Sequence, residues 1–242
     1  MLKTIIVNDY DEMSDYAFDL VKDLVTKKPN CVLGLATGSS PIGLYQRMVK
    51  DHQENGTSYS AVTTVNLDEY IGLTPDHPES YSAFMRRHLF SGIDIPSKNT
   101  HLPKDGVNLA EQCEKYNELL DNIDIDLQVL GIGSNGHIGF NEPGTAFDSK
   151  THIVALNEST RRDNARFFAS LDEVPAQAIT MGIASIMKAQ QILVIASGQS
   201  KAEAVAAMLH GPQTPDVPAS VLQSHPNVVV IVDTAAATRL VE

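Results

Sequence analysis

Apolar and polar positions follow one another in two rhythms, and their succession predicts the architecture. Short apolar runs mark buried strands at Leu2 to Val7, Cys31 to Ala36, Ala61 to Leu67, Leu127 to Ile132, Gln191 to Ala196 and Asn227 to Val232. Shorter strands are expected at Asn99 to Leu102 and Thr151 to Leu156. Helical spacing fills the intervals. Asn8 or Asp9 starts a helix to about Lys27, with Phe18, Val21, Leu24 and Val25 as its apolar stripe. Further helices are predicted from Pro41 to about His52, after Ser80 to about Phe90, and over Leu109 to Leu120, Ser159 to Phe168, Ile183 to Lys188 and Lys201 to His210. Pro175 to Met181 reads as irregular or extended. Strands alternating with helices imply an α/β fold, a three-layer α/β/α arrangement with a mostly parallel, doubly wound, Rossmann-like sheet. The whole chain, 1–242, reads as one domain.

Three strands are followed by polar, glycine-bearing loops. The most distinctive is Leu130 to Gly144, LGIGSNGHIGFNEPG, where Gly131, Gly133, Gly136 and Gly139 surround Asn135, His137, Asn141 and Glu142. Glycine lets main chain approach a ligand closely, and a histidine exchanges protons near neutral pH. A carboxylate nearby stabilises the charged ring and fixes its tautomer. The bland alternative is a strand end and turn with a structural histidine. Gly131-x-Gly133-x-x-Gly136 also has dinucleotide spacing, but no apolar helix follows it.

After the second strand, Thr37-Gly38-Ser39-Ser40-Pro41 combines hydroxyls and glycine with a helix start, Ser40 as N-cap and Pro41 at the first helical position. Such a stretch makes an anion site; the alternative is a plain capped helix. Ser197-Gly198-Gln199-Ser200-Lys201 is similar, with Ser200 and Glu203 matching a capping box. Asp68 and Glu69 follow the third strand. Neighbours on extended chain point opposite ways, so one of them faces the crevice; a solvated surface pair is the alternative. All four stretches belong at the carboxyl edge of the sheet, where α/β folds place ligands.

Composition narrows the classes. The 242 residues are 43% hydrophobic and 20% charged, ordinary globular values. A net charge of −12 argues against a nucleic-acid binder, and an anionic substrate needs a local cluster of cations or N–H groups. Cys31, read as lying inside a strand, and Cys113 are too far apart in sequence for a metal motif and are expected to be reduced, in a cytoplasmic protein. The N-terminal apolar run is too short for a signal peptide, and no run approaches a membrane span.

The motifs together resemble the glucosamine-6-phosphate deaminase family. The residues that carry the likeness are Leu67-Asp68-Glu69-Tyr70, His77-Pro78-Glu79-Ser80-Tyr81 and Gly133 to Pro143, with Thr37 to Pro41, Ser159 to Phe168 and Ser197 to Lys201 fitting the same pattern. The likeness covers nearly the whole chain. It implies an amino-sugar catabolic hydrolase, within N-acetylglucosamine utilisation, that converts glucosamine 6-phosphate and water to fructose 6-phosphate and ammonia. It implies no metal and no cofactor, and the zinc-deaminase signature is absent. By resemblance, Asp68 moves a proton between C2 and C1 of the open sugar, and His137 opens the ring with support from Glu142 and Asn135. Thr37, Gly38, Ser39 and Ser40 hold the phosphate with Arg166 and Lys201, and Arg161 to Phe168 belong to a lid.

The larger hexameric members carry aspartate at the position of Asn135 and a longer tail. Asn135 is therefore expected to hold the His137 ring by hydrogen bonds alone, and the chain is expected to be a monomer or small homo-oligomer, in a short non-allosteric branch. Its expected partner is a small sugar phosphate, not nucleic acid or membrane. Three rivals stay open: 6-phosphogluconolactonase, which usually has Asp-Glu-Arg where this chain has Asp68-Glu69-Tyr70; a galactosamine-6-phosphate enzyme; and a sugar-phosphate-sensing module without catalysis.

Overall fold

The computed structural model describes residues 2–240. Ten strands and seven α-helices follow in the order β1 (Leu2–Val7), α1 (Tyr10–Lys27), β2 (Val32–Leu35), α2 (Ile42–Asn55), β3 (Thr63–Asn66), β4 (Asp68–Tyr70), α3 (Tyr81–His88), β5 (Thr100–His101), α4 (Leu109–Asp121), β6 (Leu127–Leu130), β7 (His152–Ala155), α5 (Glu158–Asn164), β8 (Gln177–Thr180), α6 (Ile183–Ile186), β9 (Ile192–Ala196), α7 (Ala202–His210) and β10 (Val228–Asp233). Seven strands form one sheet in the order β1-β10-β9-β6-β2-β3-β5. Every pairing in it is parallel.

The strands alternate faces, and each face buries its own core. Leu33, Leu35, Leu127, Val129, Leu193 and Ile195 pack with Met13, Ala17 and Val21 of α1, Leu44 and Met48 of α2, and Phe84 and Met85 of α3. Val65, Leu130, Val194, Val230 and Val232 pack on the opposite side with Tyr116 and Leu120 of α4, Ile186 of α6, and Val205 and Met208 of α7. The three-layer, doubly wound expectation is met. Central β6, β9 and β10 are buried along their whole length, and apart from Gln128 within β6 and Asp233 at the end of β10 their residues are apolar.

A second sheet departs from the sequence reading. Asp68 to Tyr70 do not simply extend the third strand. They form β4, which pairs antiparallel with β8, and β8 pairs antiparallel with β7. The irregular or extended stretch at Pro175 to Met181 is thus partly the middle strand of this sheet. Its side chains meet over Tyr70, Phe140, Leu156 and Ala178.

Local signals were mostly obeyed. Asp9 caps α1 by accepting from the Glu12 N–H at 2.9 Å. Cys31 lies just before β2 rather than in it, and both cysteines are free and buried. The helical stretch predicted to Phe168 is α5 followed by a 3₁₀ turn, Ala165–Phe167. Two caps fail. Pro41 itself holds the N-cap position of α2, without a side-chain cap from Ser40. No Ser200–Glu203 box forms: a 3₁₀ turn, Gln199–Lys201, precedes α7, and Glu203 pairs with Arg239 at 2.8 Å. No helix among the described residues is long and apolar enough to cross a membrane.

Candidate active site

The winding of the sheet creates the crevice. From β2 the chain builds outward through β3 and β5; from β6 it builds the other way through β9 and β10. The loops leaving β2 and β6 therefore diverge at the switch point, where an α/β sheet opens for a ligand. A cavity of about 590 Å³ lies there. It is lined by Thr37, Gly38, Ser39 and Ser40, by Asp68, by His137, and by Arg166 and Lys201. Eight of the ten sequence-predicted site residues share this cavity, and the other two, Asn135 and Glu142, stand behind His137.

Gly38 has φ +88°, a conformation that glycine adopts without strain, so the 37–40 loop can turn its amides and hydroxyls inward. The guanidinium of Arg166 donates to Ser39 Oγ at 3.2 Å. Burial pushes the Lys201 ammonium below its ordinary pKa; the carboxylate of Asp163 works against this, and the charge of Arg166 with it. A bound dianion would restore the charge and relieve the repulsion between these cations.

Asp68 and Glu69 take opposite directions, as extended chain requires. Glu69 turns to the start of α3 and accepts from the N–H groups of Tyr81 at 2.8 Å and Ser82 at 2.8 Å. It is a capping residue. Asp68 faces the cavity although it is only 5% exposed. Burial, joined by the charge of Glu69, pushes its carboxyl up to about 8; a backbone N–H, that of Phe140, offsets this slightly. Gly139 permits the close fit: its φ is +57°, and a Cβ there would stand 3.4 Å from Asp68 Oδ2 and 3.2 Å from Thr180 Oγ1.

The glycine loop builds the other wall. A Cβ at Gly133 would lie 2.3 Å from the His137 ring, so the ring occupies the place that any other side chain would fill. His137 Nδ1 stands 3.6 Å from Glu142 Oε2, near enough for charge attraction and beyond a direct hydrogen bond. Asn135 does not hold the ring. Its Nδ2 donates to Glu142 Oε2 at 2.8 Å, and its Oδ1 accepts from the His137 backbone N–H at 3.2 Å. Glu142 also accepts from Asn157 Nδ2 at 3.0 Å and from the Thr160 hydroxyl. Burial alone would raise its pKa, but His137, Thr160 and Asn135 together hold the carboxylate down to about 2.

Residues 157–168 lie across the mouth. Asp163 Oδ2 accepts from Ser134 Oγ at 3.0 Å on the β6 side, while Arg166 reaches Ser39 on the β2 side. Asn164 Nδ2 donates to Tyr70 Oη at 2.9 Å. Sequence reasoning missed Asn157, Thr160, Asp163 and Asn164 as contributors. Asn157 holds the N-cap position of α5 without making a side-chain cap bond, and its amide donates to Glu142 instead.

The model of the family described as glucosamine-6-phosphate isomerases/6-phosphogluconolactonase matches residues 10–231. A glucosamine-6-phosphate deaminase of Geobacillus sp. is 56% identical over 234 residues, 96% of this chain and 93% of that protein. One from Lactobacillus delbrueckii subsp. bulgaricus is 54% identical over 99% of this chain and all of its own length. The solved structure of a monomeric glucosamine-6-phosphate deaminase superposes with a TM-score of 0.96 at 46% identity, covering 98% of this chain and 99% of that one. A Trypanosoma brucei 6-phosphogluconolactonase shares the fold, with a TM-score of 0.82 at 19% identity, 99% of each chain being covered. The chain belongs to the glucosamine-6-phosphate isomerase/6-phosphogluconolactonase family.

Proposed function

We propose that the chain is a glucosamine-6-phosphate deaminase, converting glucosamine 6-phosphate and water to fructose 6-phosphate and ammonia in amino-sugar catabolism. The observation that carries this reading is one cavity lined at once by a buried carboxylate, a histidine backed by a second carboxylate, and a hydroxyl-and-cation cradle. The curated relatives of that name, more than half identical over nearly the whole chain, support it.

The phosphate rests on the amides and hydroxyls of Thr37 to Ser40, with Arg166 and Lys201 as its cationic partners. Binding energy gained there, away from the reacting carbons, positions the sugar. His137 takes the proton of the C1 hydroxyl and returns one to the ring oxygen, which opens the ring. Glu142 stays ionised, stabilises the protonated imidazole, and is kept in place by Asn135, Asn157 and Thr160. Asp68 then removes the proton from C2 and delivers it to C1. A proton from the ammonium on C2 passes to the former aldehyde oxygen, so the product is a ketimine with a C1 hydroxyl, and water hydrolyses it at C2, releasing ammonia. A carboxyl whose pKa is about 8 is a stronger base than an ordinary aspartate, and its basicity suits work near neutral pH. Residues 157–168 close over the sugar and exclude water. The protein acts in the cytoplasm, as a monomer or small homo-oligomer; the monomeric relative supports the former.

The test is ammonia release from glucosamine 6-phosphate without added metal, beside galactosamine 6-phosphate and 6-phosphogluconolactone. Ammonia and fructose 6-phosphate from the first substrate alone are expected, with no change on adding N-acetylglucosamine 6-phosphate. Lactone hydrolysis without ammonia would move the chain to the other branch of its family. Silence on all three would remove the catalytic reading.

A further inference from the structure

We propose that Asp163 sets the affinity of the cavity for the phosphate end of its ligand, as a fixed negative charge opposed to it. The inference rests on the functional reading above and deepens it. Asp163 and Arg166 are three residues apart, at the end of α5 and in the 3₁₀ turn that follows, and both side chains line the cavity. They clasp opposite banks, Asp163 on Ser134 at 3.0 Å and Arg166 on Ser39 at 3.2 Å. Among the residues lining the cavity only Asp68 and Asp163 are acidic. Asp68 is buried, and that burial disfavours its charge, whereas Asp163 is exposed.

The same stretch of chain therefore brings both a cation that attracts phosphate and an anion that repels it. When the cavity is empty, Asp163 balances Lys201 and Arg166, and its bond to Ser134 holds the segment over the crevice. When phosphate arrives it meets this carboxylate across the cradle. Repulsion raises the energy of every phosphorylated occupant, substrate and product alike, so it weakens binding uniformly and speeds departure. Asp163 is thus a residue that limits affinity, with no part in the proton transfers.

The two contributions of Asp163, charge and hydrogen bond, separate in two variants. Asp163→Asn removes the charge and keeps an acceptor for Ser134; Asp163→Ala removes both. Calorimetry with inorganic phosphate is the primary measurement, because it does not depend on turnover. Asp163→Asn is expected to tighten phosphate roughly three- to tenfold, the scale of one partly screened charge acting on a dianion. KM for glucosamine 6-phosphate and the inhibition constant of fructose 6-phosphate should fall in the same proportion. The gain should shrink as salt is raised. Unchanged or weaker phosphate binding in Asp163→Asn would overturn the proposal. So would an effect confined to Asp163→Ala, which would make the residue a latch and nothing more. If the wild type binds phosphate but releases no ammonia, the functional reading fails while the calorimetric comparison still decides this one.

Discussion

The two walls of the cavity each carry a buried carboxylate, and the two have opposite fates. Asp68 is 5% exposed and so is Glu142. Asp68 is supported by one backbone N–H and has Glu69 beside it; its carboxyl is pushed up to about 8. Glu142 receives hydrogen bonds from Asn135, Asn157 and Thr160, lies near His137, and is held at about 2. Burial disfavours both charges, and the number of donors and the sign of the neighbouring charge then drive the two apart. One wall keeps a basic group able to accept a proton from carbon. The other keeps a permanent anion able to steady a charged imidazole. Paired titratable groups whose environments drive their pKa values apart are the mark of divided acid–base roles.

The difference is broken most severely at Asp68. Asp68→Asn should lower kcat/KM by roughly a thousandfold or more, the upper range of general base catalysis. The same change should stabilise the fold. Between about pH 4 and about 8 the folded wild type binds the Asp68 proton more tightly than the unfolded chain does. The stability this lends is complete below about pH 4 and is lost as pH rises through about 8. Against wild type, Asp68→Asn should therefore gain stability with rising pH, reaching a few kcal/mol above pH 8, by denaturant titration. A variant destabilised equally at pH 5 and pH 9 would contradict the origin assigned to the shift.

Gly133→Ala attacks the other wall while sparing both carboxylates. The new Cβ displaces the His137 ring, the movable end of a side chain, so the fold should survive. Turnover should fall roughly a hundredfold, the cost of misplacing a reacting group by about an ångström. Full activity would show that the ring position is not required.

Glu142→Gln makes the two walls more alike by removing the low-pKa anion. The amide turns an NH₂ toward groups that are themselves donors, costing about 1–3 kcal/mol of stability. Because the Glu142 pKa is depressed, its contribution is present above about pH 4.5 and is lost as pH falls toward 2. The stability gap between wild type and variant should close over that acid range. A roughly tenfold loss in kcat/KM is expected, the scale of losing one nearby charge that steadies the imidazolium. A gap that persists unchanged at pH 2 would show that packing, not ionisation, is responsible.

Much of this was legible in the chain. Buried parallel strands declare themselves because both faces need apolar side chains, and β6, β9 and β10 do so with only Gln128, inside β6, and Asp233, at the end of β10, as polar exceptions. Asp68, His137, Glu142, Arg166 and Lys201 all come to one crevice because the loops that carry most of them follow parallel strands. The β4-β8-β7 sheet was not legible. β4 has three residues, all buried, so it shows no alternation, and its partner β8 lies far along the chain. The failed caps are instructive: Ser40 and Ser200 both line the cavity. Hydroxyls that local rules assign to helix starts are turned toward the ligand space instead. The donors to Glu142 were equally hidden, since Asn157 and Thr160 meet it only after fifteen and eighteen intervening steps along the chain.

The most direct measurement is a carbon-13 NMR titration of the side-chain carboxyls in the ligand-free protein, with Asp68→Asn and Glu142→Gln to assign the two signals. Asp68 should titrate near 8 and Glu142 should remain ionised down to about 2. Two midpoints that both fall near 4 would contradict the division of roles between the walls.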